Sequence, residues 1–228
     1  MEDTTTILAK LLDDEINYYP NFFSFEGGEG SGKTSVLRLV SEKLTAAGYD
    51  VFTTREPGGN TSEKCEAIRE VLYYEKMSDM EPLTDAFLYA ASRTQHVQEV
   101  ILPRLKQGQI VLTDRFVDSS LVYQGLQRDN LAAVMTINLL AIAKTMPQTT
   151  LFFDIEAQAG LERVFSKRSG ETNYLDHRGL AYHEGIYDNF KRLENFYQQR
   201  YVNIDATQPL DVVVETVYET ILGKITKI

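Results

Sequence analysis

The run Gly27-Gly28-Glu29-Gly30-Ser31-Gly32-Lys33-Thr34 carries the most specific chemistry in the sequence. Gly27 and Gly32 bracket four residues, and Lys33-Thr34 follow, which is the P-loop pattern. In such a loop the backbone N–H groups turn inward at a phosphate, and the helix N-terminus behind them adds partial positive charge. Lys33 would neutralise β/γ-phosphate charge, and the Thr34 hydroxyl would ligate Mg²⁺. A glycine-rich turn before an ordinary helix is the plainer alternative. Here Asn21–Glu26 reads as a short aromatic strand and Lys33 onward as a helix, and that context favours nucleotide binding.

A second acidic position belongs with this loop. Gln109–Thr113 reads as an apolar strand with Asp114 at its end. An acid at the carboxyl end of a neighbouring strand can hold the Mg²⁺ water shell, and Arg115 beside it can grip phosphate through its planar fork. Asp-Arg alone is weak, since many strands end in a charged turn. The formal net charge of −10 argues against general nucleic-acid binding. Even so, Lys33, Arg55, Arg69, Arg93, Arg115, Arg163, Lys167 and Arg168 all fall in or beside the segments discussed here. Positive charge near a site in an acidic chain suits an enzyme of anionic metabolites.

The elements that must position these residues alternate. Helical spacing marks Ser35–Ala47, Thr61–Tyr74, Pro82–Gln107, Leu131–Lys144, Ala157–Ser166, Ala181–Tyr201 and Leu210–Lys224. Pro103 should kink or shorten the third of these. Strands are expected at Asn21–Glu26, Asp50–Thr54, Gln109–Thr113, Thr149–Ile155 and Tyr201–Asp205. Strands separated by helices predict an α/β fold, a five-stranded parallel sheet flanked by helices in the manner of P-loop NTPases. Ligands are then expected at the carboxyl ends of the strands. Residues 1–20 form an N-terminal extension, helical or disordered, ahead of a single domain over 21–228.

A chain of 228 residues supports one sizeable core. No apolar run approaches the length of a membrane helix, and the acidic N-terminus does not read as a secretory signal. The lone cysteine, Cys65, cannot form an internal disulfide and suits a reducing, cytoplasmic setting.

The ordered set Phe25-Glu26-Gly27, the P-loop, Thr54-Arg55-Glu56-Pro57-Gly58-Gly59, Ala90-Ala91-Ser92-Arg93, Asp114-Arg115-Phe116, Ser119-Ser120 and Tyr123-Gln124-Gly125 is distinctive. With these motifs the chain resembles the thymidylate kinases of bacterial type, within the nucleoside monophosphate kinase family. The resemblance covers residues 21–228. It implies transfer of the γ-phosphoryl of Mg-ATP to dTMP, giving dTDP for dTTP synthesis. It also implies a mobile lid at about residues 162–178 and a homodimer. ATP would be held by Gly27 to Thr34, and Mg²⁺ by Thr34 and Asp114. Tyr89 would stack on the base, and Arg93 would donate to its carbonyl oxygen. Ser120 and Gln124 would meet the base edge, and Tyr123 the sugar. Arg69 and Arg115 would clamp the monophosphate with Arg55 close by, and Glu29 and Glu56 complete the dTMP set. Lys33, Arg115, Arg163 and Arg168 are the implied catalytic cations. Bacterial members with an arginine-free P-loop draw a catalytic arginine from the lid. This chain carries Tyr174-Leu175-Asp176 where relatives carry Arg-Leu-Asp or Arg-Leu-Glu, so Arg163, Lys167, Arg168 and Arg178 compete for the role.

Other readings fare less well. A deoxynucleoside kinase would not need so many arginines around an uncharged acceptor. A GTP-dependent switch would need an Asn-Lys-x-Asp element, and the sequence has no Asn-Lys pair. His96, His177 and His183 are not needed for phosphoryl transfer and read as helix or surface residues.

Overall fold

A computed structural model describes residues 2–74, 80–167 and 178–225, without the Lys167 side chain. Five parallel strands form one sheet: β1 (Asn17–Glu26), β2 (Val51–Arg55), β3 (Ile110–Asp114), β4 (Thr145–Asp154) and β5 (Tyr201–Asp205). Their order across the sheet is β2-β3-β1-β4-β5. Ten α-helices accompany them among the described residues: α1 (Thr4–Ala9), α2 (Lys33–Ala46), α3 (Glu63–Tyr73), α4 (Pro82–His96), α5 (Leu102–Lys106), α6 (Val117–Ser120), α7 (Leu131–Ala141), α8 (Ala157–Lys167), α9 (Leu180–Phe196) and α10 (Leu210–Lys224).

Strand alternation divides the core. Phe23 and Phe25 of β1, with Leu151 and Phe153 of β4, face Val36 and Val40 of α2 and Val213, Val217 and Ile221 of α10. Phe22 and Phe152 point the other way, among Val97, Val134, Met135, Phe190 and Leu193. Register sets the carboxyl edge: Asp114 pairs with Phe25 on one side and Arg55 on the other. Three functional segments therefore end level with one another.

The structure differs from the sequence reading at several boundaries. β1 begins at Asn17 rather than Asn21, and β4 at Thr145 rather than Thr149. The added residues pair with each other, Asn17 with Thr145 and Tyr19 with Pro147, before a register shift. Pro20 and Pro147 hide this pairing, because proline usually marks a strand's edge or end. The long helix expected to run to Gln107 keeps helical backbone from Pro82 to Lys106 and leaves α-geometry just before Pro103. A π-turn, Val97–Ile101, passes into α5 and absorbs the missing N–H. Within the N-terminal extension, Ile7, Leu8 and Leu11 are buried in the α4–α7–α9 side of the core. Tyr197 Oη donates to the Leu8 carbonyl at 2.8 Å. Each such apolar side chain contributes about 1.5–3 kcal/mol on burial.

Candidate active site

The carboxyl ends of the strands open onto a cleft of about 880 Å³. Residues Glu29 to Val36, Asp114 and Arg115 line its middle, following β1 and β3. Arg69, Tyr89 and Arg93 of α3 and α4, which follow β2, line one end. Arg163 of α8 and the segment Ala206 to Leu210 after β5 line the other. The two edges of such a sheet lie about 19 Å apart, enough to seat two ligands end to end.

The P-loop owes its shape to close backbone approach. Gly30 has φ +70, and a Cβ there would lie 2.0 Å from the Gly160 carbonyl oxygen. Gly160 is equally constrained, since its own Cβ would lie 2.4 Å from the Glu29 carbonyl oxygen. The loop is thus seated directly on the first turn of α8, a contact that only paired glycines allow. Lys33 is buried, and its Nζ donates to Gly27 O (3.0 Å), Gly28 O (2.7 Å) and Ser31 Oγ (2.9 Å). Burial, with the Arg115 charge nearby, lowers its pKa to about 8. Phosphate oxygens arriving in the loop would favour the charged form.

Thr34 Oγ1 donates to Asp114 Oδ2 at 2.5 Å. This pair sets two hard oxygens side by side at the helix start and the strand end. No group of three or more His, Cys, Asp or Glu is arranged around a metal site among the described residues. A donor set this sparse fits Mg²⁺, which keeps waters and substrate phosphates in its shell.

Arg115 follows in a left-handed conformation, φ 70, unusual for a residue with a side chain. Its backbone N–H donates to Phe25 O at 3.0 Å. Its guanidinium reaches Gly27 O (3.0 Å), Ser119 Oγ (3.1 Å) and Glu29 Oε1 (2.7 Å). Tyr123 Oη donates to the same Glu29 oxygen at 3.4 Å, and burial raises the Tyr123 phenol well above its ordinary range. Buried Glu26 supports the turn from beneath. Its Oε1 accepts from Phe116 N–H at 2.7 Å, and its Oε2 accepts from Ser119 Oγ at 2.6 Å. Burial, with Asp118 close by, pushes the Glu26 carboxyl up to about 8.

At the α4 end the guanidinium of Arg93 is committed to protein partners, the residue being 2% exposed. Nε and Nη2 meet Glu56 Oε2 at 2.8 and 2.7 Å, and Nη2 donates to Phe116 O at 3.1 Å. Nη1 donates to Ser120 Oγ at 2.9 Å and to Asn138 Oδ1. Arg93 nevertheless lines the cleft beside Tyr89, Ser120, Tyr123 and Gln124. Glu56 lies next to the cis Glu56–Pro57 bond, and its Oε1 is 3.0 Å from His96 Nδ1, while His96 Nε2 is 2.7 Å from Thr54 Oγ1. His96, expected on a helix or at the surface, is a helix residue, fully buried at the end of α4, and it orients Glu56. His183 is buried on α9, and His177 lies outside the described residues. Arg69 lines the cleft, with Nη1 donating to Pro57 O at 2.8 Å. Arg55 is turned aside. It pairs with Glu66 at 2.8 Å and lines a smaller cavity of about 230 Å³ that shares Thr34 and Asp114 with the main cleft.

Arg163 lines the opposite end, with Nη1 donating to Ala206 O at 2.8 Å. Arg168 and Tyr174, and most of the expected lid, lie outside the described residues. Arg178 is exposed, its guanidinium 4.8 Å from the centre of the Tyr182 ring. Cys65 is buried, with Sγ 3.7 Å from Ser92 O.

Sequence reasoning passed over Glu26, Asp85, His96, Ser119, Asn138 and Gly160 as contributors to the site. One signal was available. Asp85, Tyr89, Arg93 and His96 recur at helical spacing on α4 and share a face. Asn138 and Gly160 had no comparable mark.

Comparison with known proteins agrees with this geometry. The family model described as thymidylate kinase matches residues 25–217. A thymidylate kinase of Oceanobacillus iheyensis is 45% identical over 202 residues, covering 88% of this chain and 88% of that protein. One of Geobacillus thermodenitrificans is 43% identical over 205 residues, covering 90% of each. The crystal structure of thymidylate kinase from Ehrlichia chaffeensis superposes with a TM-score of 0.68 at 26% identity, over 88% of this chain and 97% of that one. A match this long, spanning the P-loop, the Asp114-Arg115 edge and the helices around the cleft, makes the chain a member of the thymidylate kinase family.

Proposed function

We propose that this chain transfers the γ-phosphoryl group of ATP to dTMP, releasing dTDP and ADP. The observation that carries this reading is the convergence of two half-sites in one cleft. The P-loop and the Thr34–Asp114 pair lie between an arginine- and tyrosine-lined end and an end closed by Arg163 and the β5–α10 loop. The donor phosphates take the P-loop and the donor base the Arg163 end. The acceptor takes the α4 end, with its base on Tyr89 and its monophosphate near Arg69 and Arg115.

An acceptor phosphate oxygen is the nucleophile. Its bond to the γ-phosphorus forms as the bond from that phosphorus to the β-bridging oxygen breaks. No covalent enzyme intermediate is required when both groups are held in line. Thr34 and Asp114 would hold Mg²⁺, which supplies neutralising charge to the β- and γ-phosphates when bound. Lys33 leaves the carbonyls of Gly27 and Gly28 to meet the same oxygens. Arg115 holds the acceptor phosphate against the loop, since its guanidinium already spans Gly27 O and Glu29. Arg93 meets the base by sharing an N–H now given to Ser120 or Asn138. Glu29 and Tyr123 face the sugar between the two ends. Arg163 and Arg168 remain the lid-side cations proposed for the transferring group.

A homodimer suits the surface, and the lone cysteine suits a reducing, cytoplasmic compartment. Phe87 on α4 and Leu140 on α7 are large, apolar and 54% and 79% exposed. No helix among the described residues is long and apolar enough to cross a membrane. ADP release measured with dTMP, dUMP, dCMP, dGMP and thymidine as acceptors tests the reaction. Strong turnover with dTMP and little with thymidine or dGMP is expected. Turnover on thymidine equal to that on dTMP would overturn it.

A further inference from the structure

Asp85 is a buried acid on α4 that the phosphoryl-transfer chemistry does not use. It sits one turn before Tyr89 and faces the π-turn Leu121–Gly125. Gln124 Nε2 donates to its Oδ2 at 3.3 Å, and Arg128 Nη1 lies 3.4 Å from the same oxygen. Burial pushes the Asp85 carboxyl up, and the Arg128 guanidinium and the Gln124 amide oppose that.

A carboxylate only accepts hydrogen bonds, so it can take only the NH₂ end of an amide. That fixes which way Gln124 is turned. Oε1 accepts no hydrogen bond among the described residues, and Gln124 lines the cleft. Nε2 is held toward Asp85, so Oε1 is the amide atom left to accept from a ligand.

We propose that Asp85 is a positioning residue for base selection, locking Gln124 so that it presents a carbonyl oxygen, and not an NH₂ group, to the acceptor base. The inference rests on the placement of that base beside Tyr89 and Arg93. Thymine offers an acceptor at O4 and a donor at N3–H. Cytosine offers the reverse, an amino donor at C4 and an acceptor at N3. A donor from Arg93 beside an acceptor from Gln124 matches the first pattern and opposes the second on both atoms. Were Gln124 free to flip, half of that discrimination would be lost, because its NH₂ could serve cytosine N3. Selectivity against the amino pyrimidine is then partly set by a residue that need not touch the substrate.

The test compares kcat and KM for dTMP and dCMP in the full chain and in Asp85→Asn, Asp85→Glu and Gln124→Ala, with melting curves for each. Asn at position 85 can offer Gln124 either a donor or an acceptor, so the lock is released. The kcat/KM ratio of dTMP to dCMP is expected to fall about tenfold or more, the effect of one misdirected hydrogen bond. Asp85→Glu should keep most of the ratio, and Gln124→Ala should raise the KM for dTMP. A ratio unmoved in Asp85→Asn, while Gln124→Ala raises that KM, overturns the Asp85 inference and leaves the base placement standing. A KM for dTMP unmoved in Gln124→Ala overturns the placement itself and the inference with it. An equal loss of kcat/KM for both acceptors in Asp85→Asn assigns Asp85 a structural role only and also overturns it. If Asp85→Asn fails to fold, Asp85→Ser is read by the same criteria.

Discussion

Arg115 and Glu29 form an ion pair of 2.7 Å that joins the end of β3 to the P-loop. The arginine makes this contact from a left-handed backbone, φ 70, which costs about 1–3 kcal/mol for a residue with a side chain. The strain is held by Phe25 O above and Glu26 beneath, and it aims a planar fork at three acceptors.

Lysine cannot reproduce that fork, because its ammonium is a point charge on a flexible stem. Arg115→Lys should lower kcat/KM for dTMP by about 10²-fold or more, while KM for ATP changes much less. Steady-state kinetics with each substrate varied in turn would check this. Equal losses for both substrates would mean that Arg115 serves the loop and not the acceptor.

Gly30→Ala tests the seating of the P-loop. Its Cβ would collide with the Gly160 carbonyl, a backbone atom that cannot swing away. ATP binding, measured by calorimetry, should become undetectable while the melting temperature falls by only a few degrees, about 1–3 kcal/mol of overpacking. Lys33→Ala should instead bind ATP more weakly and turn over about a hundredfold more slowly, or worse. If Gly30→Ala binds ATP normally, the contact with α8 is not what shapes the loop.

Arg163 is tied to Ala206 O at the donor end of the cleft. Arg163→Ala should lower kcat by about a hundredfold or more while KM for ATP changes much less, the loss expected for a cation that stabilises the transferring phosphoryl group. If KM for ATP instead rises about tenfold with kcat unmoved, Arg163 serves donor binding and not the transferring phosphoryl group. Alanine variants of Arg168 and Arg178, assayed alongside, would then show which cations share the work.

Glu26 gives a pH signature. Its folded pKa, raised to about 8 chiefly by burial, lies above its unfolded value, so the native state holds the proton more tightly. The stabilisation is complete below the unfolded pKa of about 4.5 and is lost as pH rises through about 8. Glu26→Gln mimics the protonated acid and should remove this component. Urea unfolding from pH 5 to 9 should show wild-type stability declining relative to the variant by up to a few kcal/mol. Parallel curves for the two proteins would mean that Glu26 titrates at an ordinary carboxylate pKa.

Much of this site is local in origin, and that part was legible. The glycine spacing of the P-loop, the strand ahead of Asp114 and the helical spacing of Tyr89 and Arg93 are each written within one segment. Phosphate binding needs only consecutive backbone N–H groups, one lysine and one hydroxyl, so the residues from Gly27 to Thr34 specify it by themselves. Strand alternation with helices likewise determined a parallel sheet and put ligands at its carboxyl edge.

Tertiary structure alone decided the partners. Thr34 meets Asp114 because β3 lies beside β1, an order that no local pattern encodes. Arg93 is shared among Glu56, Ser120, Asn138 and Phe116, segments far apart in sequence. Arg55 and Arg69 look alike in sequence, yet only Arg69 lines the main cleft. Asp85 shares the α4 face of Tyr89 and Arg93, but only packing sets its partners Gln124 and Arg128 against it. Periodicity reports which residues of one element share a face, whereas the group opposite each of them depends on how the chain closes, and that closure gives a buried charge its role.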